Sequence, residues 1–304
     1  RQVEDGEAWP ALLGKLLCVR VANFGVGNYG LDQAILRYRR DGRIPQAKVA
    51  ILGVVPESIA RIHSAWKHYS EYGNTFAFKP RFRCSGDRPE LLANVIDDPQ
   101  KFKHYREFLP ELRERDHFYK TKFRRDMIRT PYIWHWLAKP RNRRLIGLLR
   151  ERRRRRADGT CSQALEAAPF RSVLQRNLRM AGEMYGKPEH TALFKALVLT
   201  FAAEARAAGA EPAFVMFPQL LDLEYFGDQQ PYQPLLNDLR PSLLVVDAAD
   251  ALADIGRAKL YVEDTYGGHY SAEGNAIIAR MLAGQMAPLL QRVEASVDAE
   301  SRPA

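Results

Sequence analysis

The chain has 304 residues, a net charge of +10 and a sequence pI of about 9.6, which favours acidic partners and leaves room for one large domain or two small ones. Its three cysteines, Cys18, Cys84 and Cys161, lie far apart without a Cys-x-x-Cys pair, which argues against a disulfide framework or a cysteine-rich zinc site. No apolar run reaches the ~18 residues of a membrane span, so no transmembrane segment is expected.

The sequence opens at Arg1 without an initiator Met. Trp9, Leu12, Leu13, Leu16 and Leu17 repeat at helical spacing, with Pro10 tolerated in the first turn. Val19-Arg-Val-Ala-Asn-Phe24 reads as a short strand and is followed by the glycine loop Gly25-Val-Gly27-Asn28-Tyr-Gly30. A helix is expected over Leu31 to Tyr38, a buried strand over Lys48 to Val55, and a helix from Pro56 through Ile59, Ile62 and Trp66. Strand, glycine loop, helix, strand, helix is the grammar of a parallel α/β sheet.

From about Tyr72 to Pro188 that grammar lapses into an aromatic, proline-punctuated and strongly basic stretch. It holds Phe76-Ala-Phe-Lys-Pro-Arg-Phe82, read as a β excursion, the aromatic run Tyr132-Ile-Trp134-His-Trp136, and the arginine run Arg152 to Arg156. The α/β pattern resumes with a helix over Ala192 to Ala208, a strand over Ala213 to Phe217, a strand over Leu243 to Asp247 and a helix over Ala248 to Ala258. The expected division is therefore 1–71 and 189–292 as the two parts of an α/β domain, 72–188 as a basic insertion and 293–304 as a disordered tail.

Near the end lies Val262-Glu-Asp-Thr-Tyr-Gly-Gly-His269-Tyr-Ser-Ala-Glu-Gly-Asn275. Ile277, Ile278, Met281, Leu282 and Leu289 then mark one buried helix face, with Ser271 as the expected N-cap. A histidine on a glycine-flanked loop suits general-base work because its free pKa lies near neutrality, although a surface-loop histidine has the same sequence appearance.

Asn23-Phe-Gly-Val-Gly27-Asn28-Tyr-Gly30-Leu-Asp-Gln33 resembles the second block of the SGNH (GDSL-type) hydrolases, and Gly-Gly-His269-Tyr-Ser-Ala-Glu-Gly-Asn275 is similar to their histidine block. The resemblance covers residues 1–70 and 190–290 and is silent about the insertion. It implies a three-layer α/β/α fold with a parallel flavodoxin-like sheet, and ester hydrolysis or acyl transfer through an acyl-enzyme. It makes His269 the base and Gly27 an oxyanion N–H donor with Asn28 adjacent. The implied substrate is a small-molecule or carbohydrate ester, and no cofactor is implied.

The chain departs from the family pattern at three places. No Gly-Asp-Ser occurs in it, and the expectation is that this block precedes Arg1, so that the chain is an N-terminal truncation carrying no nucleophile. The third-block Asn is replaced by Pro56-Glu57-Ser58, with Ser58 as a substitute donor to substrate. Tyr266 stands where the acid is usual, three residues before the histidine, which leaves Asp264 as the acid and Tyr266 as a substrate contact.

Other readings stay open. One is a non-catalytic SGNH-like binding module; another makes the basic insertion a docking element for an anionic surface or polymer. No nucleic-acid motif accompanies the charge. The glycine loop has its third glycine one residue early for a dinucleotide fingerprint. Pro218-Gln219-Leu-Leu-Asp222 follows a strand, which makes Asp222 an additional polar candidate for the cleft.

Overall fold

The computed structural model describes residues 3–66, 78–86, 88–119, 147, 168–252, 257–262 and 268–300. In chain order the helices and strands are α1 Trp9–Leu17, α2 Leu31–Arg37, β1 Val49–Val54, α3 Ser58–Arg61, β2 Arg81–Ser85, β3 Arg88–Leu92, α4 Pro99–Lys103 and α5 Leu109–Arg115. They continue with α6 Ala168–Tyr185, α7 Pro188–Ala207, β4 Glu211–Met216, α8 Leu220–Phe226, α9 Gln233–Leu239, β5 Leu244–Asp247, α10 Ala249–Leu252, α11 Arg257–Leu260 and α12 Ala272–Glu300.

The chain divides into two compact units: Arg1–Ile62, Phe82–Glu90 and Met180–Ala304 form the first, and His63–Arg81 and Leu91–Arg179 the second. The first unit is mixed α/β around a parallel sheet of order β1-β4-β5. Val49 pairs with Glu211 and Val54 with Met216; Ala213 pairs with Leu244 and Met216 with Asp247. A parallel strand flanked on both sides is buried on both faces and reads as a continuous apolar run. That is the state of β4, where Pro212 to Met216 are all buried. Its side chains alternate between two helical layers. Ala213 and Val215 join a core with Leu13 of α1 and Ile278, Leu282 and Met286 of α12, while the Phe214 ring meets Phe194 of α7 edge-on at 6.0 Å.

Three expectations change in this unit. The run Val19 to Phe24 forms no strand, and Val19 is 40 % exposed. Its β-branched residues fit a strand, but ladder N–H and C=O groups need a neighbour, and among the described residues β1 pairs only with β4. The helix expected from Pro56 to Trp66 closes after Arg61, and Trp66 instead forms an antiparallel bridge with Phe78 in the second unit. The last helix runs to Glu300, so the expected tail from 293 is helical over its first eight residues. Val293-Glu-Ala-Ser-Val-Asp-Ala-Glu300 contains neither Gly nor Pro to stop it.

In the second unit, Asp116 ties the chain after Ile62 to the end of α5. Its Oδ2 accepts from the backbone N–H groups of Ala65 at 2.7 Å and Trp66 at 2.8 Å, and Oδ1 from Phe118 N–H at 2.8 Å. Around this latch Ala65, Trp66, Val95, Ile96, Leu112 and Tyr119 form a separate small core. The runs Tyr132 to Trp136 and Arg152 to Arg156 lie outside the described residues. Among the described residues no helix is long and apolar enough to cross a membrane.

Candidate functional site

The carboxyl ends of parallel strands are where an open α/β sheet holds its ligands. In the first unit this rim is made by the segments after β1, β4 and β5 together with two glycine-bearing loops.

The glycine loop begins with an Asx turn, Gly25 N–H donating to Asn23 Oδ1 at 2.9 Å. A second turn closes with Tyr29 N–H donating to the Val26 carbonyl at 3.3 Å. Asn28 is its third residue and is left-handed, φ 67°; asparagine and glycine are the residues that tolerate this place in a type II turn. Gly27, the expected oxyanion donor, has open space around its Cα. The loop is held against the segment after β1 by Arg61, whose guanidinium donates to the Tyr29 carbonyl at 3.1 Å and pairs with Glu57 at 2.7 Å. Gly30 permits the approach, since a Cβ there would stand 2.9 Å from Arg61 Cβ.

Ser58 follows in the same segment. It is 1 % exposed, and its Oγ is buried with no hydrogen-bond partner among the described residues. A hydroxyl so enclosed is not presented to a ligand arriving from solvent.

The histidine loop is built differently. Val262 N–H donates to the His269 carbonyl at 2.8 Å, and Tyr261 and Tyr270 form an antiparallel bridge, so a short pair of extended segments carries the imidazole, which is exposed. Gly268 is left-handed, φ 83°, and a Cβ there would lie 2.6 Å from Leu220 Cβ. Ser271 is the N-cap of α12, its Oγ accepting from Gly274 N–H at 3.1 Å. Gly274 leaves no room for a side chain, because a Cβ would fall 2.2 Å from the Leu260 carbonyl oxygen. Asn275 donates to the Tyr270 and Ser271 carbonyls at 3.1 and 2.9 Å and accepts from Trp9 N–H at 3.0 Å, which fastens α1 to the start of α12. Asp264 and Tyr266 lie outside the described residues.

Beneath this loop is the segment after β4. The Pro218 carbonyl accepts the hydroxyls of Tyr261 at 3.0 Å and Tyr270 at 2.7 Å. Trp9, Phe217, Tyr270 and Tyr261 form a row with successive ring separations of 5.4, 6.4 and 5.0 Å. Gly53 of β1 gives Phe217 its place, since a Cβ there would meet the ring at 2.5 Å.

A polar layer lies under the same rim. Asp222 accepts from Gln219 N–H at 2.8 Å; burial pushes its carboxyl up to about 7, the Glu57 charge adding to the rise and the Gln219 N–H opposing it. Asp247 accepts from the Tyr232 hydroxyl at 3.1 Å, from Gln233 Nε2 and from Ala249 N–H at 2.9 Å, yet burial still raises its pKa. Burial raises the Tyr185 and Tyr270 hydroxyls well above the ordinary range, the Asp222 charge adding to the rise at Tyr185 and the neighbouring, hydrogen-bonded Tyr261 hydroxyl at Tyr270. Tyr185 donates to the Pro56 carbonyl at 2.8 Å. Among the described residues no group of His, Cys, Asp and Glu side chains could hold a metal ion.

Two clusters thus stand on one rim. Gly27, Asn28 and Ser58 belong to the first through Arg61, and His269 to the second through Pro218 and Leu220. Sequence reading anticipated the Ser271 cap, but not the tyrosine clamp on Pro218. Nothing local in the sequence links Tyr270 to a proline 52 positions earlier. No family model matches the chain, and no curated protein or solved structure is found to be similar to it.

Proposed function

We propose that this chain is the body of an SGNH-type serine hydrolase that cleaves or transfers an acyl group, with a carbohydrate or other polar acyl ester as substrate. His269 takes the proton of an attacking serine hydroxyl as its oxygen bonds to the ester carbonyl carbon, and returns that proton to the departing alkoxide. Water, or a second alcohol, then attacks the acyl-enzyme by the same exchange and regenerates the serine. The Gly27 N–H stabilises the oxyanion, Asn28 lies beside it, and Asp264 orients the imidazole. The serine comes from a Gly-Asp-Ser turn, which these 304 residues do not contain.

The observation that carries the reading is the seat of His269: an exposed imidazole on a loop braced against the segment beyond a central parallel strand. The strand order supports it, since β1-β4-β5 matches three successive strands of a doubly wound sheet. So does the pairing of β1 on one edge only among the described residues, with Val19 to Phe24 unladdered and its Val21 and Phe24 half-buried. A strand ending in Gly-Asp-Ser would lie between these two in such a sheet.

The buried Ser58 favours a second reading, a binding module in which the cleft persists without a working centre, because its hydroxyl does not substitute for the expected amide. The reading frame upstream of Arg1 separates the two. If it encodes an apolar strand ending in Gly-Asp-Ser, protein from the whole frame hydrolyses p-nitrophenyl acetate, and His269→Ala lowers kcat by about 10³-fold or more. A frame with no such strand, or an unchanged rate in the variant, rejects the hydrolase.

A further inference from the structure

We infer that the Pro218 carbonyl, gripped by the hydroxyls of Tyr261 and Tyr270, is the device that fixes His269 in place, and that the two tyrosines are positioning residues for it. A carbonyl oxygen has two lone pairs, and here two phenol donors converge on one oxygen at 3.0 and 2.7 Å. The donors come from either side of the histidine loop, and their backbones form the antiparallel bridge that carries it. Their rings pack against each other at a tilt, with centroids 5.0 Å apart, and Tyr270 also packs against Phe217 of the same post-β4 segment.

On the other side of His269, Gly268 lies against Leu220 with no room for a Cβ. The histidine backbone is therefore braced before and after against one segment, Phe217 to Leu220. That segment is itself held to the sheet by Phe217 N–H donating to the Val54 carbonyl at 2.8 Å. Hydrophobic packing alone would supply burial of the tyrosine rings without requiring both hydroxyls to meet one acceptor. The value of this seat to catalysis rests on the hydrolase reading; the seat itself does not.

The experiment compares Tyr270→Phe, Tyr261→Phe and the double variant with the parent chain, which keeps the rings and removes only the donors. Hydrogen exchange of the Val262 amide, whose bond to the His269 carbonyl reports closure of the loop, is measured against that of Val215 in β4. Imidazole ¹⁵N relaxation reads the order of the His269 ring. The expected result is a rise in Val262 exchange of roughly tenfold in each single variant and more in the double, with Val215 unchanged and a more mobile ring. Equal rises at Val262 and Val215, or no rise at Val262, overturn the inference, the first by showing a general loss of stability. If protein from the whole reading frame hydrolyses esters, the double variant lowers kcat with KM little changed. If it hydrolyses none, the hydrolase reading fails and the exchange ratio still decides the seat.

Discussion

The two glycine-bearing loops of the first unit use their glycines for different physical ends. In the histidine loop and the first turn of α12 that follows it, Gly268 and Gly274 are enforced by their surroundings, one by a left-handed backbone against Leu220 and the other by a carbonyl oxygen 2.2 Å from where a Cβ would sit. In the earlier loop, Gly27 meets nothing, and the tight contact belongs to Gly30 against Arg61. A glycine packed against backbone is explained by the fold alone. A glycine in open space is not, and Gly27 is thus the position at which a requirement from a ligand would be visible apart from one of folding.

The largest effect should come from breaking the enforced side. Gly274→Ala gains about 1 kcal/mol of helix propensity but drives its methyl into the Leu260 carbonyl, and we expect a net loss of at least about 3 kcal/mol in urea unfolding.

Asp222 sharpens the comparison through pH, since it opens α8 directly after the segment that seats His269. Its folded pKa of about 7 lies above the usual 3.8, so the folded state keeps a proton that the unfolded state has lost. Stability is full below about pH 4, falls as pH rises to about 7 and then levels. Asp222→Asn should flatten that fall and make the protein more stable than the parent by roughly 2–4 kcal/mol at pH 8, read from unfolding midpoints across pH 4 to 8. The amide oxygen still accepts from Gln219 N–H, so the gain should not be offset at low pH.

The smallest effect on stability belongs to Gly27→Ala, a change of less than about 1 kcal/mol and stabilising in sign, because the residue is not left-handed and the added methyl meets no atom. The same variant should lower ester turnover if its N–H faces the oxyanion and the methyl crowds the substrate. A variant that retains both stability and turnover would make the two loops alike in being purely structural.

The sequence by itself determined the α/β character of the first unit. It gave β1, β4 and β5 to within two residues at each end, because a strand buried on both faces must be an unbroken apolar run. It determined the Ser271 cap and the buried face of α12, since both are set by spacing within one turn or one helix. The tertiary structure decided what local spacing cannot carry. Val19 to Phe24 has strand-forming residues and is not a strand, because a strand is completed by its neighbour's hydrogen bonds. Ser58 reads as an available hydroxyl and is enclosed, because burial depends on what packs over α3. Tyr270 reads as an ordinary neighbour of a histidine, and only the return of the chain beside Pro218 makes its hydroxyl half of a clamp.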